Sequence, residues 1–222
     1  MWTAFAGLAL AGPLAEGERL HYEASWMGIP AGVATAETQR DGQAWVVRVA
    51  SRSADWLAGL YPVDDRLTSV WAPGTGSQRY ETVFREGRFQ QDQVMVFDVT
   101  AITVSRHQLF DEGWRRWEDR YAAAPGVEDP VSALWRIREA GAGRFDVFSG
   151  KRVVPVDVQR AGTETVDGQS TERFDVRTVH DGDLKDRMSL WVTTGEARVP
   201  LRAVVATRAG PVTVTLLERE VP

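Results

Sequence analysis

The chain has 222 residues, 43% of them hydrophobic and 26% charged, with a formal net charge of −5 and no cysteine. That is enough apolar material for one large β domain, and the missing cysteines exclude disulfides, thiol catalysis and cysteine-based metal sites. The acidic balance argues against a nucleic-acid or anionic-membrane partner, and Lys151 and Lys185 are the only lysines.

Residues 2–15 are apolar and small, with Trp2, Phe5, Leu8, Leu10 and Leu14 among alanines and glycines. The run is shorter than the ~20 residues of a membrane helix. It matches the apolar core of a secretory signal without its basic start, and small residues at Ala9, Ala11 and Ala15 place a cleavage point so that the mature chain begins near Gly12 or Glu16. The competing reading is a buried N-terminal strand or helix. Residues 1–16 are therefore set apart as a signal-like segment, and 17–222 as a single β-rich domain. No other segment can span a bilayer, so no transmembrane segment is expected in the mature chain.

From residue 18 the pattern is period two. Leu20, Tyr22, Ala24 and Trp26 alternate with polar residues and predict a strand over 18–27. Gly28-Ile29-Pro30-Ala31-Gly32 predicts a turn, and a strand returns over 33–40. Asp41-Gly42 is a hairpin signal before the strand that holds Trp45, Val47 and Val49. Residues 53–60 fit either a short helix or an apolar loop. Strands follow over 63–72, 78–84, 89–99, 101–108 and 114–121, with turns at Pro73-Gly74-Thr75-Gly76, Glu86-Gly87 and Asp111-Glu112-Gly113.

Residues 129–141 break the pattern and predict one amphipathic helix. Asp129 can cap it, Pro130 suits the first helical position, and Gly141 can take the left-handed stop. Val131, Leu134, Trp135 and Arg138 share a face. Ser132 sits in the first turn outside any nucleophile-elbow context, so its hydroxyl is expected to bond the backbone. Beyond the helix, strands are expected over 144–148, 152–159, 162–166, 171–179, 187–193, 200–207 and 211–219, with a turn at Asp181-Gly182-Asp183. Turn signals every ~8–12 residues mark an all-β fold. The expected architecture is a mainly antiparallel, curved sheet, forming an open barrel or two packed sheets, with the helix across one face or plugging one end.

Little in the sequence carries chemistry. His21, His107 and His180 are dispersed, so no metal and no cofactor is expected. Asp64-Asp65 is a dense acidic pair, but neighbours on a strand point to opposite faces, which weakens a proton-sharing dyad. Of nine tryptophans, Trp114 and Trp117 lie among charges and read as a surface pair. Trp26, Trp45, Trp135 and Trp191 lie on candidate core elements and are the candidate ligand-lining residues.

Three stretches taken together carry a resemblance. They are Leu20-His21-Tyr22-Glu23-Ala24-Ser25-Trp26-Met27-Gly28-Ile29-Pro30-Ala31-Gly32, the helix start Asp129-Pro130-Val131-Ser132-Ala133-Leu134 with Arg138, and Leu190-Trp191-Val192-Thr193 followed by Val199-Pro200-Leu201-Arg202. In this order they resemble the bacterial exported proteins grouped as domain of unknown function 3108. The resemblance implies a Gram-negative envelope protein with a curved antiparallel sheet, and it supplies no activity and no catalytic residues. The functional expectation is a non-catalytic domain that binds an apolar or amphipathic ligand, a lipid or an envelope protein being the possible partner. A periplasmic scaffold without a ligand is the alternative, and a hydrolase-type enzyme comes third for want of a convergent nucleophile–base pair.

Overall fold

The computed structural model describes residues 14–72, 74–180, 183–207 and 209–222. The signal-like segment up to residue 13, Pro73 of one turn, and Asp181-Gly182 of another lie outside the described residues. The described residues form one 14-stranded sheet with two helices. In chain order the elements are β1 (Arg19–Trp26), β2 (Ile29–Asp41), β3 (Ala44–Ser53), α1 (Asp55–Ala58), β4 (Asp64–Ala72), β5 (Gly76–Glu86), β6 (Phe89–Phe97), β7 (Ala101–Phe110) and β8 (Gly113–Ala122). They continue with α2 (Pro130–Ala140), β9 (Gly143–Phe148), β10 (Val153–Val166), β11 (Gln169–His180), β12 (Asp183–Thr193), β13 (Pro200–Thr207) and β14 (Gly210–Glu220).

Every named pair of strands is antiparallel, and the order is β8-β7-β6-β5-β4-β3-β2-β1-β14-β13-β12-β11-β10-β9. Two meanders thus meet where β1 pairs β14. Of the two architectures left open by the sequence, the structure selects a single curved sheet that does not close. Laid flat, fourteen strands would be roughly 60 Å wide at the usual strand spacing. α2 has 11 residues and is about 16 Å long. The sheet therefore curls around the helix, and α2 packs against both β4 and β9. Phe148 on β9 meets Phe97 of β6 and Tyr121 of β8, with ring centroids 6.4 and 5.0 Å away. The stretch before α2 ties the two meanders together: Ser77 N–H donates to Val127 O (3.3 Å) and Phe148 N–H to Glu128 O (2.8 Å).

The helix start is as expected. The Asp129 carboxylate accepts the N–H groups of Val131 (2.7 Å) and Ser132 (3.0 Å), and the Ser132 hydroxyl accepts the Asp129 N–H (2.9 Å). The expected face of Val131, Leu134, Trp135 and Arg138 is buried, and so are Ser132, Ala133 and Ile137. The helix is thus covered well beyond one stripe, because the sheet wraps it. Arg138 is fully buried. It donates to Glu18 (3.2 Å) and to Ala197 O (2.8 Å), and Glu18 also pairs with Arg219 (2.6 Å).

Several boundaries differ from the sequence reading; β12, for one, begins at Asp183, within the turn expected over 181–183. The turn expected over 28–32 is only Met27-Gly28, both at positive φ, and Pro30 and Gly32 lie inside β2. Gly32 is there for a close crossing: a Cβ on it would lie 2.5 Å from Arg52 O. The separate strand over 162–166 is instead the end of β10, which continues through a bulge between Arg160 and Gly162. The short-helix reading of 53–60 holds as α1.

Candidate functional site

The inner face of the sheet is apolar under α2 and turns polar beyond it. On β5 the inward series is Tyr80, Thr82, Phe84 and Glu86; on β6 it runs backwards as Met95, Gln93, Gln91 and Phe89. On β7 it is Val104, Arg106 and Gln108, and on β8 Tyr121, Asp119 and Trp117. Register sets these residues side by side. Thr82 faces Gln93, Gln93 faces Arg106, and Arg106 faces Trp117. The next row is Phe84, Gln91 and Gln108.

These rows form the wall of an open groove of about 790 Å³, and Tyr61 together with the Ser149-Gly150-Lys151 turn borders it. The size lies in the range of small-molecule sites, ~300–1,000 Å³. Arg106 is buried and held at both ends, by Asp119 and by Gly150 O. Gln91 donates to Gln108 (2.8 Å). Gln93 is 6% exposed, and its amide nitrogen has no hydrogen-bond partner among the described residues.

At one end of the groove lies an acidic cluster. Glu86 and Asp65 are both buried and hydrogen-bonded to each other, and Tyr61 also bonds Glu86. The Asp65 carboxyl is pushed up to about 7, first by burial and then by the Glu86 charge, against the lowering effect of the Arg85 N–H it accepts (2.8 Å). Tyr61 is raised too, by burial and then by Glu86. The Tyr61 ring closes against Gly87, where a Cβ would sit 3.1 Å away and where φ is +56°.

The four tryptophans named from the sequence occupy other places. Trp45 is buried opposite Trp71 and under the Arg40 guanidinium. Trp135 is buried in the helix core, its indole N–H without a partner among the described residues. Trp26 is half-buried and donates to Ala209 O (2.8 Å); Trp191 donates to Glu164 (2.9 Å). None of the four borders the 790 Å³ groove. The Trp114–Trp117 surface pair is split across the sheet: Trp117 faces the groove, whereas Trp114 stacks on His107 (4.5 Å) outside it.

The acidic pair was half legible. Asp64 and Asp65 do face opposite sides, Asp64 pairing with the exposed Arg66 (3.3 Å). The true partner of Asp65, Glu86, is 21 positions on and is reached only through β4–β5 pairing, where Arg66 faces Val83. The groove residues had a signal that the sequence reading did not use: Gln91 and Gln93 share the alternation phase of Met95, and Arg106 that of Val104. Among the described residues no three His, Asp or Glu side chains converge as metal ligands do, and no helix is long and apolar enough to cross a membrane.

Fold and groove together define an open, β-barrel-like domain with an internal helix and a polar–aromatic recess. The chain belongs to the family described as protein of unknown function DUF3108, whose profile matches residues 21–217. Among solved structures, a β-barrel-like protein of domain of unknown function DUF1849 from Brucella abortus is similar, with a TM-score of 0.62 at 9% identity over 96% of this chain and 100% of that one. The lipoprotein LppX of Mycobacterium tuberculosis aligns at TM-score 0.30 and 14% identity, covering 94% of this chain and 88% of its own. A DUF1329 family protein from Desulfovibrio piger aligns at 0.27 and 10%, covering 94% and 87%. The first likeness bears on the fold alone, and the other two are too distant to bear on anything. No match is found among curated proteins.

Proposed function

We propose that this protein is a binding domain that takes an amphipathic ligand into the groove on the inner face of β5–β8. The observation that carries this reading is the 790 Å³ groove itself, where a sheet face that is filled under α2 continues uncovered beyond it. A pure scaffold gains nothing from burying the Gln93 amide along such a recess, since buried polar groups cost stability unless paired and its nitrogen has no partner among the described residues. The aromatic residues Phe84, Phe89, Trp117 and Tyr121 offer apolar contact area, and the amide row gives orientation. The signal-like run over 2–15 supports export, which would put the domain among envelope components.

The test is to incubate purified protein with envelope lipid extract, re-isolate it and record native mass spectra, with tryptophan fluorescence as a second readout. A retained species of defined mass, lost when Trp117 and Phe89 are both changed to alanine, is the expected result. No retained species and no fluorescence change would move the scaffold reading ahead. N-terminal sequencing from the native host tests export: a chain starting near Gly12 or Glu16 is expected, and an intact Met1 in the cytoplasm opposes it.

A further inference from the structure

We propose that the head group this groove selects is uncharged and rich in hydroxyls, a glycoside of a few rings; the inference rests on the groove being a ligand site. Charge is the first argument. The lining holds Arg106 and Lys151 against Asp119 and Glu86. Arg106, the one buried cation among these, is spoken for, one guanidinium nitrogen donating to Asp119 and another to Gly150 O. Its charge is already balanced by Asp119, so a phosphate or carboxylate drawn to its remaining N–H donors would also meet that carboxylate, while Lys151 is an exposed, solvated cation. Glu86 adds buried negative charge beside the Asp65 carboxyl, which further disfavours an anion. A cationic head group gains as little, because the Asp119 charge is balanced by Arg106 and Glu86 is buried beside Asp65 and Tyr61.

Amide chemistry is the second argument. Gln93 is more than nine-tenths buried, lines the groove, and keeps an amide nitrogen with no partner among the described residues. Such a donor costs stability when unmet, and its neighbours across the register are Thr82 and Arg106, not solvent. Gln91 and Gln108 bond each other through one nitrogen and one oxygen. Between them they still present one amide carbonyl and one amide NH2. Amides that both donate and accept match hydroxyls, which do the same. An alkyl chain would leave all of them unmet.

Aromatic surface is the third. Trp117 lies beside Arg106 in the register row, with the guanidinium 6.0 Å from its ring centroid, and it remains 36% exposed on the groove side. A flat, partly exposed indole next to hydrogen-bonding amides suits the C–H face of a pyranose, with the ring's hydroxyls pointing at Gln93 and Gln108. The phenyl rings of Phe84 and Phe89, 6.4 Å apart, stand toward the Tyr61 end and would meet the apolar part of an amphiphile.

The experiment uses three amphiphiles of equal chain length below their micelle concentrations: dodecyl maltoside, dodecylphosphocholine and dodecyl phosphate, with free maltotriose as a fourth arm. Binding to the full chain is read by calorimetry. The maltoside is expected to bind at least tenfold tighter than either charged head. Gln93→Met and Gln108→Ala should each remove most of that preference, lowering the maltoside affinity more than the phosphocholine affinity. Gln108 is half-buried, so its variant keeps the test alive if Gln93→Met misfolds. Maltotriose binding as well as the maltoside would identify a soluble glycan, and maltoside alone a glycolipid; both support the assignment. Equal binding of all three heads, or preference for the phosphate, overturns the head-group assignment while the groove stands. No binding by any arm removes the groove reading itself.

Discussion

The inner face of this sheet lives two lives. Around β1–β4 and β12–β14 it is sealed against α2 by Leu20, Tyr22, Val47, Leu67, Leu190 and Val214, and the buried charges there, Glu18 and Arg138, are paired. Along β5–β8 the same face begins apolar at Tyr80, Met95 and Val104 and ends polar at Glu86, Gln91 and Gln108. The change falls where the helix runs out. A face covered by protein must be apolar or fully paired, whereas a face left to a ligand can afford unmet amides. The contrast teaches that function is read here from which residues break the core pattern, since the strands themselves are uniform.

The largest expected effects lie on the sealed side. Trp135→Ala should destabilise by ~3–5 kcal/mol in urea unfolding, because a fully buried indole leaves a cavity that the wrapped sheet cannot collapse into. Trp135→Phe should cost much less, since it also removes an indole N–H that has no partner among the described residues. On the open side, Gln108→Ala should shift stability by under ~0.5 kcal/mol. A similar loss at both positions would erase the distinction between the two regions.

Arg138→Leu comes next, at about 3 kcal/mol. It strands Glu18, which among the described residues keeps the Arg219 contact at 2.6 Å. The double change with Glu18→Leu should cost less than the sum, because no buried charge is then left without its main partner. Additive costs would show that the pair is not one unit. Asp129→Ala should follow at ~2 kcal/mol, the upper range for a cap. Its carboxylate serves two backbone N–H groups and the hydroxyls of Ser69 (2.7 Å) and Ser77 (2.8 Å). Loss of helix signal below the global transition would place this effect in α2.

Local rules made much of this legible. Asp129, Pro130 and Gly141 bounded α2, and period-two alternation located most strands within a few residues. Pro30 misled, because a proline within a glycine-rich stretch signals a turn unless one knows that Gly32 must let Arg52 O pass. Tertiary facts were out of reach. Nothing local says that one sheet rather than two would enclose α2, or that Asp65 would meet Glu86. The groove was invisible for a related reason: Gln93 and Arg106 look like ordinary polar residues until register shows that both belong to the core-facing phase.

A smaller, pH-dependent effect than those at Trp135, Arg138 and Asp129 sits on the seam between the two regions, at Asp65. Its carboxyl titrates near 7 in the fold against an ordinary value of 3.8. Between those values the native state holds a proton that the unfolded chain has released. Stability must therefore fall as pH rises from about 4 to about 7, and the fall is complete above the folded value. Asn at this position carries no charge to desolvate, and its side-chain oxygen can still accept the Arg85 N–H. Asp65→Asn should thus match the native protein near pH 4 and gain on it as pH rises, levelling by pH 8 with an advantage under about 2 kcal/mol. Glu86→Gln should give a shallower fall than the native protein without abolishing it, because it removes the Glu86 charge and leaves the burial that is the main cause of the Asp65 shift. Urea midpoints taken at half-unit steps from pH 4 to 8 measure the difference directly. Curves that run parallel for native protein and both variants would mean that Asp65 is solvated, and the end of the groove at Tyr61 would then be open to water rather than sealed around a buried carboxyl.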